Sequence, residues 1–278
     1  MSTLKVAALQ GVSASSDAIT LANDGTCTAN ITNNLSNRNL IINGAMQVAQ
    51  RGTSSTSNGY HTVDRFEAKY GGTDEDPTQA QVDVASGTTP YTLGFRKALK
   101  FTNGNQTATG PAENIYIRQR IEAQNIATSG WNYTSSSSYI TLSFWVKSSV
   151  AQNFYGYIRT VDGTSQNYPY ETGSLSADTW TKITKTIPGN SNLQFDMDTA
   201  EGLEINLSAF FGTDYTGSVS LNAWGAYSSS TRMPDNPTTW WTTNDATLEI
   251  TGVQLEVGSV ATDFEHRSFG DELARCQR

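Results

Sequence analysis

The chain has 278 residues, of which 26 are acidic and 18 basic, for a net charge of -8. That balance excludes the broad basic face that phosphate binding needs, so nucleic acid is not an expected partner. A hydrophobic fraction of 37% and an aromatic fraction of 10% suffice for a core, and no apolar run approaches the ~20 residues that span a bilayer, so membrane insertion is not expected either.

In chain order, residues 1–37 come first. They are small, polar and thinly apolar, with short alternating pieces (Leu4, Val6; Ile19, Leu21) separated by Ser, Asp-Gly and Asn-Asn. Each piece is too short to build a core alone. Two readings stand: a disordered leader, or strands that order only against other chains or a larger particle. The opening MSTLKVAALQG lacks the basic and apolar regions of a secretory signal peptide.

Residues 38–257 read as the folded body. Strands are predicted at 65–70, 80–85, 98–102, 114–122, 139–147, 153–161, 181–187, 203–210, 218–227 and 246–257, rich in Ile, Val, Tyr, Phe and Thr. Ile115, Ile117 and Ile121 share one face with Gln119, and Arg118 and Arg120 take the other. Along Ile140, Leu142, Phe144 and Val146 the apolar face is continuous. The spacers are turn chemistry: Gly71-Gly72, Asn103-Gly104, Asp162-Gly163 and Pro188-Gly189-Asn190. Many strands at this spacing, with no long helical period, predict an all-β fold: an antiparallel β-sandwich of jelly-roll type.

Residues 258–278 form a short amphipathic tail. Ser268 stands three residues before Asp271 as a helix cap, and Leu273 follows Phe269 by four. So short a helix is marginal alone and must pack on something. Phe264, Phe269 and Leu273 are the expected buried contacts, with Arg267, Glu272 and Arg275 on the wet face.

Signatures of catalysis are scarce. The two histidines, His61 and His266, sit in polar contexts, and no G-x-S-x-G, H-E-x-x-H or glycine-rich phosphate loop occurs. No catalytic residue, metal ligand set or cofactor is assigned. The acidic clusters Asp74-Glu75-Asp76 and Asp196/Asp198 read as solvated turns, with Ca²⁺ at one of them left open. Cys27 and Cys276 lie at opposite ends and read as free thiols of a reducing cytoplasm.

Aromatic residues are the richer signal. Tyr155 and Tyr157 point the same way on one strand, Tyr168 and Tyr170 follow on the next, and Trp131 and Tyr133 sit in the loop SGWNYTSSSS. Trp240 and Trp241 adjoin in NPTTWWTTND. Flat aromatic faces beside Asn, Gln and Arg donors hold sugar rings, so these eight are the candidate carbohydrate contacts. The alternative is that they fill the core or a subunit interface. Trp145 and Trp180, amid regular strand pattern, are expected in the core.

Three stretches read together: NLIINGAMQVAQRGTSS with GYHTVDRFEAKYG (39–71), IYIRQRIEAQNI with YITLSFWVKSS (115–149), and LEITGVQLEVGSVATDFEHRSFGDELARCQR (248–278). They resemble tail-fibre and virion-appendage proteins of tailed bacteriophages, and the opening MSTLKVAALQGVS is similar to such proteins of marine phages, cyanophages among them. YITLSFWVKSS followed by DTWTKITKTI also resembles carbohydrate-binding modules of jelly-roll type. Such chains usually continue past Cys-Gln-Arg with aromatic residues, where this one stops at Arg278.

The resemblance implies a homotrimeric, non-enzymatic component exposed on the virion surface. Residues 1–37 would contact other virion proteins, the sandwich would face outward, and a host-surface glycan would be the ligand. The alternative is a capsid decoration or head–tail protein with no sugar ligand.

Overall fold

The structure is a computed structural model that describes residues 6–12, 17–21, 23, 27–29 and 37–277. Its contacts divide the chain into two units, Met1–Asn37 and Arg38–Arg278. In the first, β1 (Ala8–Gln10), β2 (Asp17–Leu21) and β3 (Cys27–Ala29) form an antiparallel sheet with β2 central. Among its described residues no apolar side chain is buried, and Leu9, Val12 and Leu21 are exposed. The rest of the N-terminal segment lies outside the described residues.

The second unit opens with β4 (Ser54–Ser55), β5 (Glu67–Gly71), β6 (Thr78–Asp83), α1 (Thr89–Thr92), β7 (Lys97–Thr102), β8 (Asn114–Glu122), α2 (Ala123–Ala127) and β9 (Tyr139–Ser148). It continues through β10 (Asn153–Thr160), β11 (Gln166–Ser174), β12 (Thr181–Pro188), β13 (Glu201–Phe211), β14 (Gly225–Ala226), α3 (Thr239–Thr242), β15 (Thr247–Val257) and α4 (Phe269–Cys276). One sheet has the order β12-β9-β15-β7-β6-β4 and the other β14-β11-β10-β13-β8-β5, all neighbours antiparallel. The chain crosses between sheets repeatedly, which makes the unit a β-sandwich of jelly-roll type.

Alternation puts the core where the pattern predicts it. Ile115, Ile117 and Ile121 of β8 meet Ile140, Leu142, Phe144 and Val146 of β9 in one apolar layer between the sheets. Each such side chain, fully buried, contributes about 1.5–3 kcal/mol. The predicted strand at 218–227 is mostly loop: only Gly225–Ala226 pairs, opposite Gln166 and Asn167.

One end of the sandwich is closed without strands. Residues 39–48 run across it, and buried asparagines stand in for the missing ladder. The Asn39 Oδ1 accepts from Ile41 N (3.0 Å) and Leu255 N (3.0 Å), while its Nδ2 donates to Val253 O (3.2 Å). Asn43, at φ 61 in the left-handed region, donates to Val48 O (2.8 Å) and Asp64 O (2.9 Å). From β8, the Gln119 amide brackets Ile42, accepting from its N–H (3.0 Å) and donating to its carbonyl (2.8 Å). Gly44 is required here, since a Cβ would lie 2.1 Å from Val253 O.

The tail docks on this same segment. Ser268 caps α4 by accepting from Asp271 N at 3.2 Å, as the spacing predicts. Phe264 packs edge-on against Phe95 at 4.9 Å, and Leu273 is half-buried. Two expectations need correction. Phe269 is 57% exposed, whereas Arg267 and Glu272 are buried rather than wet. The reason is that the surface they meet is backbone. Arg267 donates to Ile41 O (3.1 Å) and Asn39 O, and Glu272 accepts from Asn43 N. Charged groups satisfy amides and carbonyls that no strand reaches.

Candidate functional site

The loop tryptophans are not at the surface. Trp240 and Trp241 are 0% exposed and Trp131 3% exposed. α3 turns both neighbours inward, where their indole N–H groups donate to Thr247 O (3.0 Å) and Ala108 O (2.7 Å). The Asn103 amide fastens the helix by donating to Trp241 O at 2.7 Å. Trp131 packs beside Tyr133 and Phe195, with Tyr133 only partly covered. Tyr168 and Tyr170 also lie in the core, where burial pushes both phenols up. Expected exposure of Trp131, Trp240 and Trp241 is therefore corrected: a short polar loop hid their role as plugs of the sandwich.

Tyr155 and Tyr157 do share a face, the outer face of the second sheet. There they join Tyr116, Phe211, Tyr215 and Met233. Beside them Arg118 sits between Glu67 (2.7 Å) and Glu204 (3.0 Å), and the Tyr157 hydroxyl donates to Glu204 at 2.9 Å. Burial, reinforced by Glu204, pushes the Tyr157 phenol well up. Burial opposes the Arg118 charge, but Glu67 and Glu204 outweigh it and raise its pKa. The chain itself covers much of this face: Arg232 lies 4.8 Å over the Tyr215 ring, and Met233 is fully buried.

An open aromatic cleft lies instead on the outer face of the first sheet. The face of β9 opposite its apolar row carries Ser143, Trp145 and Lys147, and Lys182 of β12 stands directly opposite Trp145. Trp145 and Trp180, expected in the core, are half-buried here against Ala45, Val84, Phe95 and Ala98. Lys147 Nζ lies 5.2 Å over the Trp180 ring. The tail supplies the facing wall, with the Phe264 and His266 rings edge to face at 4.9 Å and the His266 ring bonded to Leu93 O at 2.8 Å.

Together Phe95, Trp145 and Phe264 with Ser143, Lys182, Thr262, Asp263 and His266 line a cavity of about 210 Å³. Gly252 forms part of its floor. It sits at φ +64 beside a bulge in β15, and a Cβ there would be 2.7 Å from the Phe95 ring. The cleft offers aromatic faces for an apolar C–H surface and charged or hydroxyl groups for hydroxyls. The period of two was its sequence signal: Trp145 is odd-numbered in a strand whose even positions are core.

The acidic clusters serve as staples. Asp74 accepts from the Thr107 N–H and hydroxyl, both at 2.7 Å, and Glu75 from Asn105 N at 2.7 Å. The Thr107 bonds hold the Asp74 carboxyl below the usual carboxylate range. Asp198 accepts from Ala200 N at 3.1 Å. Among the described residues no group of three or more His, Cys, Asp or Glu is placed to hold a metal ion. No described helix is long and apolar enough to cross a membrane.

The fold defines this chain as a jelly-roll β-sandwich with an aromatic cleft on one outer face. No known protein family matches its sequence, and no curated protein matches it. Solved structures share its architecture at low identity. A protein of Bacteroides thetaiotaomicron described as sugar-binding has 13% identity over 79% of this chain and 100% of its own, with a TM-score of 0.41. A family 4 carbohydrate-binding module has 14% identity over 78% of this chain and 98% of its own, with a TM-score of 0.37. The tripod of the baseplate of bacteriophage Tuc2009 has 15% identity over 88% of this chain and 63% of its own, with a TM-score of 0.34. These likenesses concern the fold alone.

Proposed function

We propose that this chain is a non-enzymatic glycan-binding protein of a phage virion, a tail-fibre-like appendage that holds a host-surface sugar in the Trp145 cleft. The observation that carries the sugar reading is Trp145 itself, a half-exposed indole facing Phe264 across Lys182, Asp263 and Thr262. A neutral pyranose would stack its C–H face on the indole and bond its hydroxyls to those polar groups. The phage assignment rests on the sequence resemblance of residues 39–71, 115–149 and 248–278. With it go a homotrimer, attachment to other virion proteins through residues 1–37, and exposure on the particle surface.

Binding to a panel of host-cell polysaccharides tests the reading. Trp145→Ala should abolish binding to a neutral glycan captured by the wild type while leaving the melting temperature within a few degrees, because the indole is only half-buried. Undiminished binding by that variant would remove the cleft from the site. Light scattering with and without residues 1–37 tests the trimer; a monomer in both cases would refute it for the free protein.

A further inference from the structure

A second cavity, of about 450 Å³, lies at the end of β8 and shares no lining residue with the Trp145 cleft. Three guanidinium groups, those of Arg51, Arg65 and Arg120, face it together with Tyr60, Glu122 and Glu201. Three cations against two carboxylates in one hollow is the reverse of the whole chain's balance, which is -8.

The three arginines are held differently. Arg120 pairs with Glu201 at 2.9 Å and with Glu67 at 3.6 Å. Arg51 is 60% exposed along its side chain, and the Asp64 carboxylate stands 3.8 Å away. Arg65 lies at φ 72, a left-handed conformation that costs a residue other than glycine. Its neighbours explain the backbone: Asp64 and Phe66 are both buried, and the left-handed turn between them leaves Arg65 facing the hollow. Cys276 closes one side as a neutral thiol, pushed up to about 12 by burial and then by the Asp64 and Glu272 carboxylates.

We propose that this hollow binds a carboxylate-bearing sugar unit, a hexuronate within an acidic polysaccharide. Its volume falls within the roughly 300–1,000 Å³ of ligand pockets and far exceeds a lone inorganic anion. Guanidinium forks at Arg51 and Arg65 match a planar carboxylate. Glu122 and Glu201 accept hydrogen bonds from ring hydroxyls and repel a polyphosphate, so the lining selects a polyol with one negative group. Burial first, and then the Glu204 charge, raises the Glu201 pKa, in keeping with a carboxylate turned toward a partly dry site. That the ligand is a sugar rests on the reading above; the preference for an acidic one rests on this cavity.

Titration calorimetry with trigalacturonate and with its methyl ester, a neutral molecule of the same shape, separates the two. Wild-type protein should bind the acid about tenfold or more tighter than the ester, a difference of about 1.4 kcal/mol. The variant Arg51→Gln/Arg65→Asn should lose that preference, asparagine being chosen because it tolerates the left-handed backbone. Arg51→Gln alone, at an exposed position, should lose part of it. Trp145→Ala should keep it, so a failed cleft and a failed hollow give different results. Equal binding of acid and ester, absence of acid binding, or a preference that survives in both arginine variants would overturn the proposal. So would displacement of trigalacturonate by an equal concentration of sulfate, which would mark an anion hole without a sugar subsite.

Discussion

The Asn39 backbone N–H donates to the Glu265 carboxylate across 2.8 Å, joining residues 226 positions apart. Arg267 binds the same carboxylate at 3.1 Å and reaches on to Ile41 O at 3.1 Å. Residues 39–48 and 263–277 are thus one structure, an irregular closing segment and the charged tail that satisfies its backbone. Arg38 adds a third tie, with its Nε 3.5 Å from Glu256 and 2.9 Å from the Thr262 hydroxyl.

This arrangement predicts a specific loss. Glu265→Ala removes the acceptor for Asn39 N and a partner of Arg267, leaving part-buried donors unpaired at about 1–3 kcal/mol. Thermal melts should show a fall of several degrees, and hydrogen exchange at the Asn39 amide should accelerate. Truncation before residue 263 should fall further, because it uncovers Asn43 N and Phe95 as well. A truncated protein with wild-type melting temperature and protease resistance would show that the tail holds nothing.

Trp240 and Trp145 make a contrasting pair. Trp240→Ala empties a fully buried position and removes the indole bond to Thr247 O, so it should cost about 3–5 kcal/mol. At roughly 2–4 °C per kcal/mol for a domain of this size, calorimetry resolves that easily. Trp145→Ala should change stability much less and binding much more. If Trp240→Ala melts like the wild type, its placement as a plug is mistaken.

Gly252 couples fold to cleft. Gly252→Ala strains the left-handed backbone and drives a Cβ into the Phe95 ring, costing more than about 1 kcal/mol. Phe95 supports Phe264, so the cleft should narrow, with weaker neutral-glycan binding alongside the lower melting temperature. A variant with normal stability and affinity would show that the ring can move aside freely.

Acid stability should depend on Asp74. Its folded pKa lies below the ordinary 3.8 because the Thr107 N–H and hydroxyl favour the carboxylate. The folded state therefore binds its proton less readily than the unfolded chain. The stabilisation is complete above the unfolded value and lost as pH falls through the lower folded one. Asp74→Asn should lower stability at neutral pH, and the gap from wild type should close in strong acid. A gap that persists unchanged to the lowest pH would assign the effect to packing.

The sequence by itself determined the fold class, because alternation needs only local pattern. Period-two apolar rows in β8 and β9 predict buried faces, and the strand positions follow from turn residues between them. The Ser268 cap was legible for the same reason, being a contact across three residues. Tertiary structure alone decided which aromatics are available. Trp240 and Trp241 stand in a polar loop, yet α3 folds them under Asn103, an interaction 137 and 138 residues distant. Trp145 had its strand parity to mark it as outward-facing, but only the tail crossing nearby makes a cleft of that face. Likewise nothing local marks Arg267 and Glu272 for burial, since what draws these two charged side chains in is a distant stretch of backbone that lacks other partners.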